Sequence, residues 1–166
     1  MDFSFSPEEE SFRTEIRSFL DNHLPNDWSD RDTIGDDGAE DGSLARTITK
    51  GLADKKWLAM AWSKENGGLD ATHVQQMIYN EETTYARMPG GGGMGVAWVG
   101  PALILYGTDE QKEQYLPKIT NGDDIWCTLY SEPGAGSDLA SLQTRAVRDG
   151  DEWIINGSKI WTSGGH

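Results

Sequence analysis

At 166 residues the chain has room for one domain, or for one domain and part of another. Its net charge of −14 and pI near 4.4 leave no basic stripe to neutralise phosphates, which argues against nucleic acid and anionic membranes as partners. A single cysteine, Cys127, excludes an intramolecular disulfide; no apolar run approaches a membrane span, and Met1-Asp2-Phe3-Ser4 lacks a signal peptide's basic and apolar regions, so a cytoplasmic protein with no membrane span is expected.

Ser6-Pro7-Glu8-Glu9 reads as a helix start, with Ser6 as cap, Pro7 at the first helical position and Glu9 completing a capping box. Phe12, Ile16, Phe19, Leu20 and Leu24 then recur on one face, and Pro25 ends the helix. Asn26 to Gly42 is acidic and nearly free of large apolar residues, the composition of a solvated loop; its carboxylates lack the ligand spacing of a calcium loop. Leu44, Ile48 and Leu52 mark a second amphipathic helix. Trp57 to Trp62 is a short apolar stretch closed by an Asn66-Gly67-Gly68 turn. Asp70 is placed to cap a third helix carrying Val74, Met77, Ile78 and Tyr85. Met94 to Tyr106 is apolar all round, which predicts a buried helix that Pro101 kinks or divides. Thr108-Asp109-Glu110-Gln111 is a further capping box, opening a helix expected to end at Leu116-Pro117.

Beyond Asn121-Gly122 the texture changes. Ile125 to Tyr130, Gln143 to Arg148, Glu152 to Ile155 and Lys159 to Ser163 read as strands, with Asp149-Gly150 and Asn156-Gly157 as hairpin turns. Helices first and strands afterwards predict an α+β chain divided near residues 120 to 124. An edge strand at Lys159 to Ser163 would be left unpaired, which suggests that the β part is the truncated start of something larger.

Gly90, Gly92 and Gly95 match the letters of a dinucleotide-binding fingerprint, but a helix end rather than a strand precedes them, so they read as an interhelical loop. Cys127 reads as a buried strand cysteine rather than a nucleophile, and His23, His73 and His166 lack metal-ligand spacing. No metal site is expected. The loop Ser131-Glu132-Pro133-Gly134-Ala135-Gly136-Ser137-Asp138 is polar and glycine-rich; from composition it is equally a plain turn and a ligand loop.

That loop resembles the signature of the acyl-CoA dehydrogenase family. The resemblance continues through Arg145, Gly150, Asn156-Gly157, Lys159 and Trp161-Thr162-Ser163. Upstream it includes Gly107-Thr108-Asp109-Glu110-Gln111-Lys112, Tyr115-Leu116-Pro117 and the opening helix from Phe12 to Leu20. It implies an all-α N-terminal helical domain over 1–122, followed over 123–166 by the first strands of a β-barrel domain. It implies FAD as cofactor, an acyl-CoA thioester as substrate, α,β-dehydrogenation as reaction, electron-transfer flavoprotein as electron acceptor and a homo- or hetero-oligomer as the full-length form. By resemblance, Thr128, Tyr130 and Ser131 lie along the flavin, Trp161 packs against its ring system, and Thr162 and Ser163 complete the cofactor edge. Ser163 stands where many members have Thr. Ser137 matches a position that touches the CoA portion of the substrate. The family's catalytic base is a Glu of the C-terminal helical domain, so no catalytic residue is expected here; Glu132 belongs to a structural Glu-Pro turn and is no substitute. Two further expectations stay open: an acyl-CoA oxidase or flavin monooxygenase of the same superfamily, and a non-catalytic partner subunit.

Overall fold

Helix α1 (Pro7–His23) begins where its end groups can be satisfied locally. The Glu9 N–H donates to the Ser6 hydroxyl at 3.2 Å, and the Ser6 N–H donates to the Glu9 carboxylate at 2.7 Å. Leu24 is extended before Pro25, as the residue ahead of a proline tends to be. The computed structural model describes residues 4–30 and 42–165. Most of the acidic stretch, residues 31–41, lies outside the described residues, but its start does not follow the expected solvated loop. Trp28 is buried in a 3-10 turn (Trp28–Asp30), and its indole N–H donates to the Ala86 carbonyl at 3.0 Å.

Contacts divide the chain into two units, Met1–Asp124 and Ile125–His166. The first unit is helical. Ile16, Phe19 and Leu20 of α1 form one cluster with Ile48 and Leu52 of α2 (Gly42–Asp54), with Trp57 and Leu58, and with Ile78 of α3 (His73–Tyr85). These are the positions that the apolar periodicity picked out on α1 and α2.

Helix α3 departs from expectation at both its start and its face. Its cap is Thr72, which exchanges reciprocal bonds of 3.2 and 2.9 Å with Gln75. Asp70 cannot take that role: its φ is +53°, whereas a cap needs extended backbone, and its carboxylate instead accepts the Lys64 N–H at 3.2 Å. Val74, Met77 and Tyr85 are exposed, and the buried side of α3 consists of Ile78, Glu82 and Thr83. A carboxylate on the inner face is possible because two guanidinium groups of α1 reach it. Arg13, itself buried, bonds Glu82 and also reaches Glu81 at 3.0 Å; Arg17 grips Glu82 through Nε at 2.8 Å and Nη2 at 2.9 Å. The Arg17 bonds first, and then Arg13, hold the Glu82 carboxyl below its ordinary range against the opposing effect of burial.

The apolar run from Met94 to Tyr106 is divided, as Pro101 allowed, into a π-helical turn (Gly95–Val99) and α4 (Gly100–Tyr106). It is not buried: Trp98, Leu105 and Tyr106 lie at the surface, because no described element covers that side, and only Gly95 and Gly100 are enclosed. Helix α5 (Asp109–Thr120) opens on the expected Thr108–Gln111 capping box but continues past Pro117. In the last turn the missing proline N–H strands one carbonyl, that of Glu113, which water can solvate since Glu113 is exposed. No described helix is long and apolar enough to cross a membrane.

The second unit holds one antiparallel hairpin, β1 (Arg145–Asp149) with β2 (Glu152–Asn156), in register Arg145↔Asn156 through Asp149↔Glu152. Its loop is Gly150-Asp151 rather than Asp149-Gly150, with Gly150 at φ +61°, the left-handed first position of a II′ turn. Two of the expected strands do not form. Ile125 to Tyr130 finds no ladder partner among the described residues, and Lys159 to Ser163 is broken by a left-handed residue at Trp161. The Asn156-Gly157 hairpin is therefore absent too. Every residue of the hairpin is exposed on both faces, so it has no core of its own.

The buried Arg13–Glu82 pair generates a test. Glu82→Ala leaves the buried Arg13 guanidinium with only its bond to the exposed Glu81 and is expected to cost about 3 kcal/mol of unfolding free energy. Arg17→Ala removes a cation that is 60% exposed and screened by water, and is expected to cost much less. Urea denaturation of both variants measures the difference; equal, small losses would contradict it.

Candidate functional site

The glycine-rich loop starts with a tight turn. The Ala135 N–H donates to the Glu132 carbonyl at 3.1 Å and the Glu132 N–H to the Ala135 carbonyl at 2.8 Å, with Pro133 and Gly134 between them. Proline presets φ at the first corner of such a turn. Ala135 is buried, and beyond it Gly136, Ser137 and Asp138 are exposed. Neither Gly134 nor Gly136 has a positive φ, and a Cβ on either would meet nothing within 4 Å. Nothing inside this chain therefore requires glycine there, and the space in front of the loop is open.

Glu132 faces inward, with 7% of its surface exposed. Its Oε2 accepts the Gln143 N–H at 2.7 Å; its Oε1 accepts the Thr144 N–H at 2.9 Å and the Lys159 ammonium at 2.9 Å. These bonds explain why β1 begins at Arg145 and not at Gln143: the two preceding amides are directed to a side chain instead of a ladder. The adjacent Thr144 hydroxyl, the Gln143 amide, the Lys159 ammonium and the Thr144 amide, in that order, hold the Glu132 carboxyl down at about 2. The Thr144 hydroxyl lies beside the carboxylate without a regular hydrogen bond, so the two amides and the ammonium are the firm contacts. A carboxylate with so low a pKa is a poor proton acceptor near neutrality. Glu132 is a structural anion.

The same node joins two segments distant in sequence. The Lys159 ammonium also donates to the Tyr130 carbonyl at 2.9 Å, and the Ile160 N–H donates to the Ser131 carbonyl at 2.9 Å. Tyr130 and Ser131 are thereby set beside Ile160 and Trp161. Trp161 has φ +58°, a conformation costing an L-residue roughly 1 kcal/mol, and its indole is 85% exposed. The Ser163 N–H donates back to the Trp161 carbonyl at 3.1 Å. Tyr130 and Ser163 are exposed, while Thr128, Ser131 and Thr162 are half-buried. Ser137 stands apart on the exposed limb of the loop, its carbonyl accepting the Leu139 N–H at 3.2 Å.

Cys127 is half-buried and lies in no strand, since its segment has no ladder partner; the expected buried strand cysteine is not what forms. His23 stacks on Phe19 within α1, with ring centroids 4.0 Å apart. Sequence reasoning gave Lys159 no role and missed its double contact. The available signal was a lysine two residues before the motif's tryptophan, in a segment with no acid of its own.

The depressed pKa gives a pH prediction. The carboxyl is lowered in the folded state, so its contribution is complete above the ordinary value of 4.5 and is lost as pH falls through about 2. The Glu132 side-chain carboxyl carbon is expected to titrate near pH 2 by carbon-13 NMR; a midpoint at 4.5 would contradict the triply bonded geometry.

Comparison with known proteins finds matches in both units. Residues 6–123 match the family described as acyl-CoA dehydrogenase, N-terminal domain, and residues 127–166 match acyl-CoA dehydrogenase, middle domain. Acyl-CoA dehydrogenase FadE26 of Mycobacterium tuberculosis is 38% identical over 165 residues, covering 98% of this chain and 40% of that protein. A structure described as a Tcur3481-Tcur3483 steroid ACAD is similar with a TM-score of 0.82 and 43% identity, over 99% of this chain and 42% of that one. The ChsE4-ChsE5 complex from Mycobacterium tuberculosis gives a TM-score of 0.82 and 37% identity, over 98% and 41%. The chain thus spans about two-fifths of the relatives it matches, with the capping boxes, the Glu-Pro turn and the Lys159–Ser163 segment all falling inside the two matched domains. On these grounds the chain belongs to the acyl-CoA dehydrogenase family.

Proposed function

We propose that this chain supplies the helical domain, residues 1–122, and the opening part of the β domain, residues 123–166, of an FAD-dependent acyl-CoA dehydrogenase. The complete enzyme oxidises an acyl-CoA thioester across its α and β carbons and passes electrons to an electron-transfer flavoprotein. The observation that carries this reading is the exposed indole of Trp161, held on a left-handed residue beside Tyr130 and Ser131 by the Ile160–Ser131 hydrogen bond. Strained backbone kept at an exposed aromatic is a mark of a ligand-facing position.

The residues present fit a flat, polarisable ring system. Trp161 offers an apolar face, the open space in front of Gly134 and Gly136 admits close approach, and Thr162 and Ser163 offer hydroxyls at one edge. FAD, when bound, supplies the acceptor for the substrate's β hydride. The contribution of this chain is to bind and orient. Thr128, Tyr130 and Ser131 line the cofactor through backbone and hydroxyl groups. The Ser163 hydroxyl gives a placed donor where negative charge develops, held less stiffly than a β-branched Thr would be. Ser137 takes the CoA portion of the substrate. The proton-abstracting base comes from outside these residues, because Glu132 is bonded on every side and too weakly basic.

A second reading stands alongside the first: the complete assembly contains unlike subunits. Two solved relatives are described as two-component proteins.

Trp161→Ala in the complete enzyme is expected to weaken FAD binding by roughly tenfold or more, the loss of one packed aromatic face, with far-ultraviolet circular dichroism unchanged. Unaltered affinity would sink the assignment. A polypeptide of these 166 residues alone is expected neither to retain stoichiometric FAD through gel filtration nor to oxidise acyl-CoA with an artificial acceptor; a yellow, active preparation would overturn the division of labour.

A further inference from the structure

Two successive carbonyls, those of Tyr130 and Ser131, are bonded by two successive residues, Lys159 and Ile160. Ile160 uses its backbone N–H, as a neighbouring strand would. Lys159 uses its side chain, and the same ammonium is anchored by the Glu132 carboxylate at 2.9 Å. The pair is well enclosed: the Lys159 side chain is 18% exposed and that of Glu132 is 7%. A surface ion pair of two flexible side chains orders little, but an ammonium with three donors, largely withdrawn from water and committed to two acceptors, constrains both segments it touches.

The residue that follows is the strained one. A left-handed tryptophan persists only where the chain on both sides is fixed. On the C-terminal side the Ser163 N–H holds the Trp161 carbonyl, and on the N-terminal side Lys159 and Ile160 are tied to Tyr130, Glu132 and Ser131. Without the ammonium, Tyr130 loses its charged donor and Trp161 can relax toward extended backbone, turning the indole.

Resting on the reading that Trp161 faces the flavin, we propose that Lys159, anchored by Glu132, is the positioning residue of that wall: its ammonium replaces a strand neighbour and sets the indole. Lys159 touches neither cofactor nor substrate in this scheme; it acts through Tyr130 and Trp161.

The test uses the complete enzyme loaded with FAD, comparing Lys159→Met, Lys159→Arg and Trp161→Ala. The readouts are the FAD dissociation constant and the visible circular dichroism of the bound flavin, which reports the asymmetry of its surroundings rather than overall folding. Lys159→Met is expected to bind FAD about tenfold more weakly, the loss of a charged hydrogen bond, and to show an altered visible band. Lys159→Arg, which keeps a cationic donor, is expected to restore most of both. Wild-type affinity and band in Lys159→Met, or equal losses in Met and Arg variants, would overturn the proposal. An unaltered band in Trp161→Ala would defeat the flavin-wall reading itself, whereas an altered band there with an unaltered Lys159→Met defeats only the role of Lys159. If Lys159→Met yields no folded holoenzyme, Glu132→Gln, which removes the ammonium's charged anchor, carries the same expectation of an altered band, and a wild-type band overturns it.

Discussion

One buried carboxylate organises the second unit. Glu132 gathers the Gln143 and Thr144 amides and the Lys159 ammonium, so three stretches of chain, its own included, meet at two oxygen atoms. The consequences run outward from there. Strand β1 starts late because its first two amides are occupied. The Pro133-Gly134 turn is fixed at its base, and the Ser131 loop is placed beside Trp161. An isolated hairpin is marginal in water, and this one buries nothing on either face. Within these residues, order at the candidate site comes from polar anchoring.

The helical unit is built on the opposite principle. Ile16, Ile48, Leu52 and Ile78 are fully enclosed, and aromatic rings close around them: Phe12 and Phe19 each meet Trp57 edge-on with centroids 5.6 Å apart. Such edge-to-face contacts add roughly 0.5–1.5 kcal/mol each to the area they bury. Its buried carboxylate, Glu82, is accommodated by two arginines from the facing helix, one of them buried with it. Both units thus contain a buried carboxylate, one inside an apolar framework and one in place of it.

Legibility in the sequence followed the range of the interaction. The capping boxes at Ser6 and Thr108 involve groups three residues apart, and both were readable. The core faces of α1 and α2 followed from apolar spacing alone. Asp70 misled because its cap chemistry is right and its left-handed backbone is not visible in a letter code. The inner face of α3 was misjudged because Glu82 is made tolerable only by Arg13 and Arg17, more than sixty residues earlier. Among the described residues no strand forms at Ile125 to Tyr130 or Lys159 to Ser163, because β pattern records a tendency while a strand requires a partner. The family motif marked the candidate residues as a set; it held no sign that Lys159 bonds both Tyr130 and Glu132.

Trp161 facing the flavin is the proposal on which the site rests. It can be read directly by incorporating 5-fluorotryptophan into the complete enzyme, identifying the Trp161 fluorine resonance by its loss in Trp161→Phe, and titrating FAD. The prediction is that the Trp161 resonance shifts on binding while those of Trp57 and Trp62, enclosed in the helical unit, stay in place. A Trp161 resonance unmoved at saturating FAD would contradict the account.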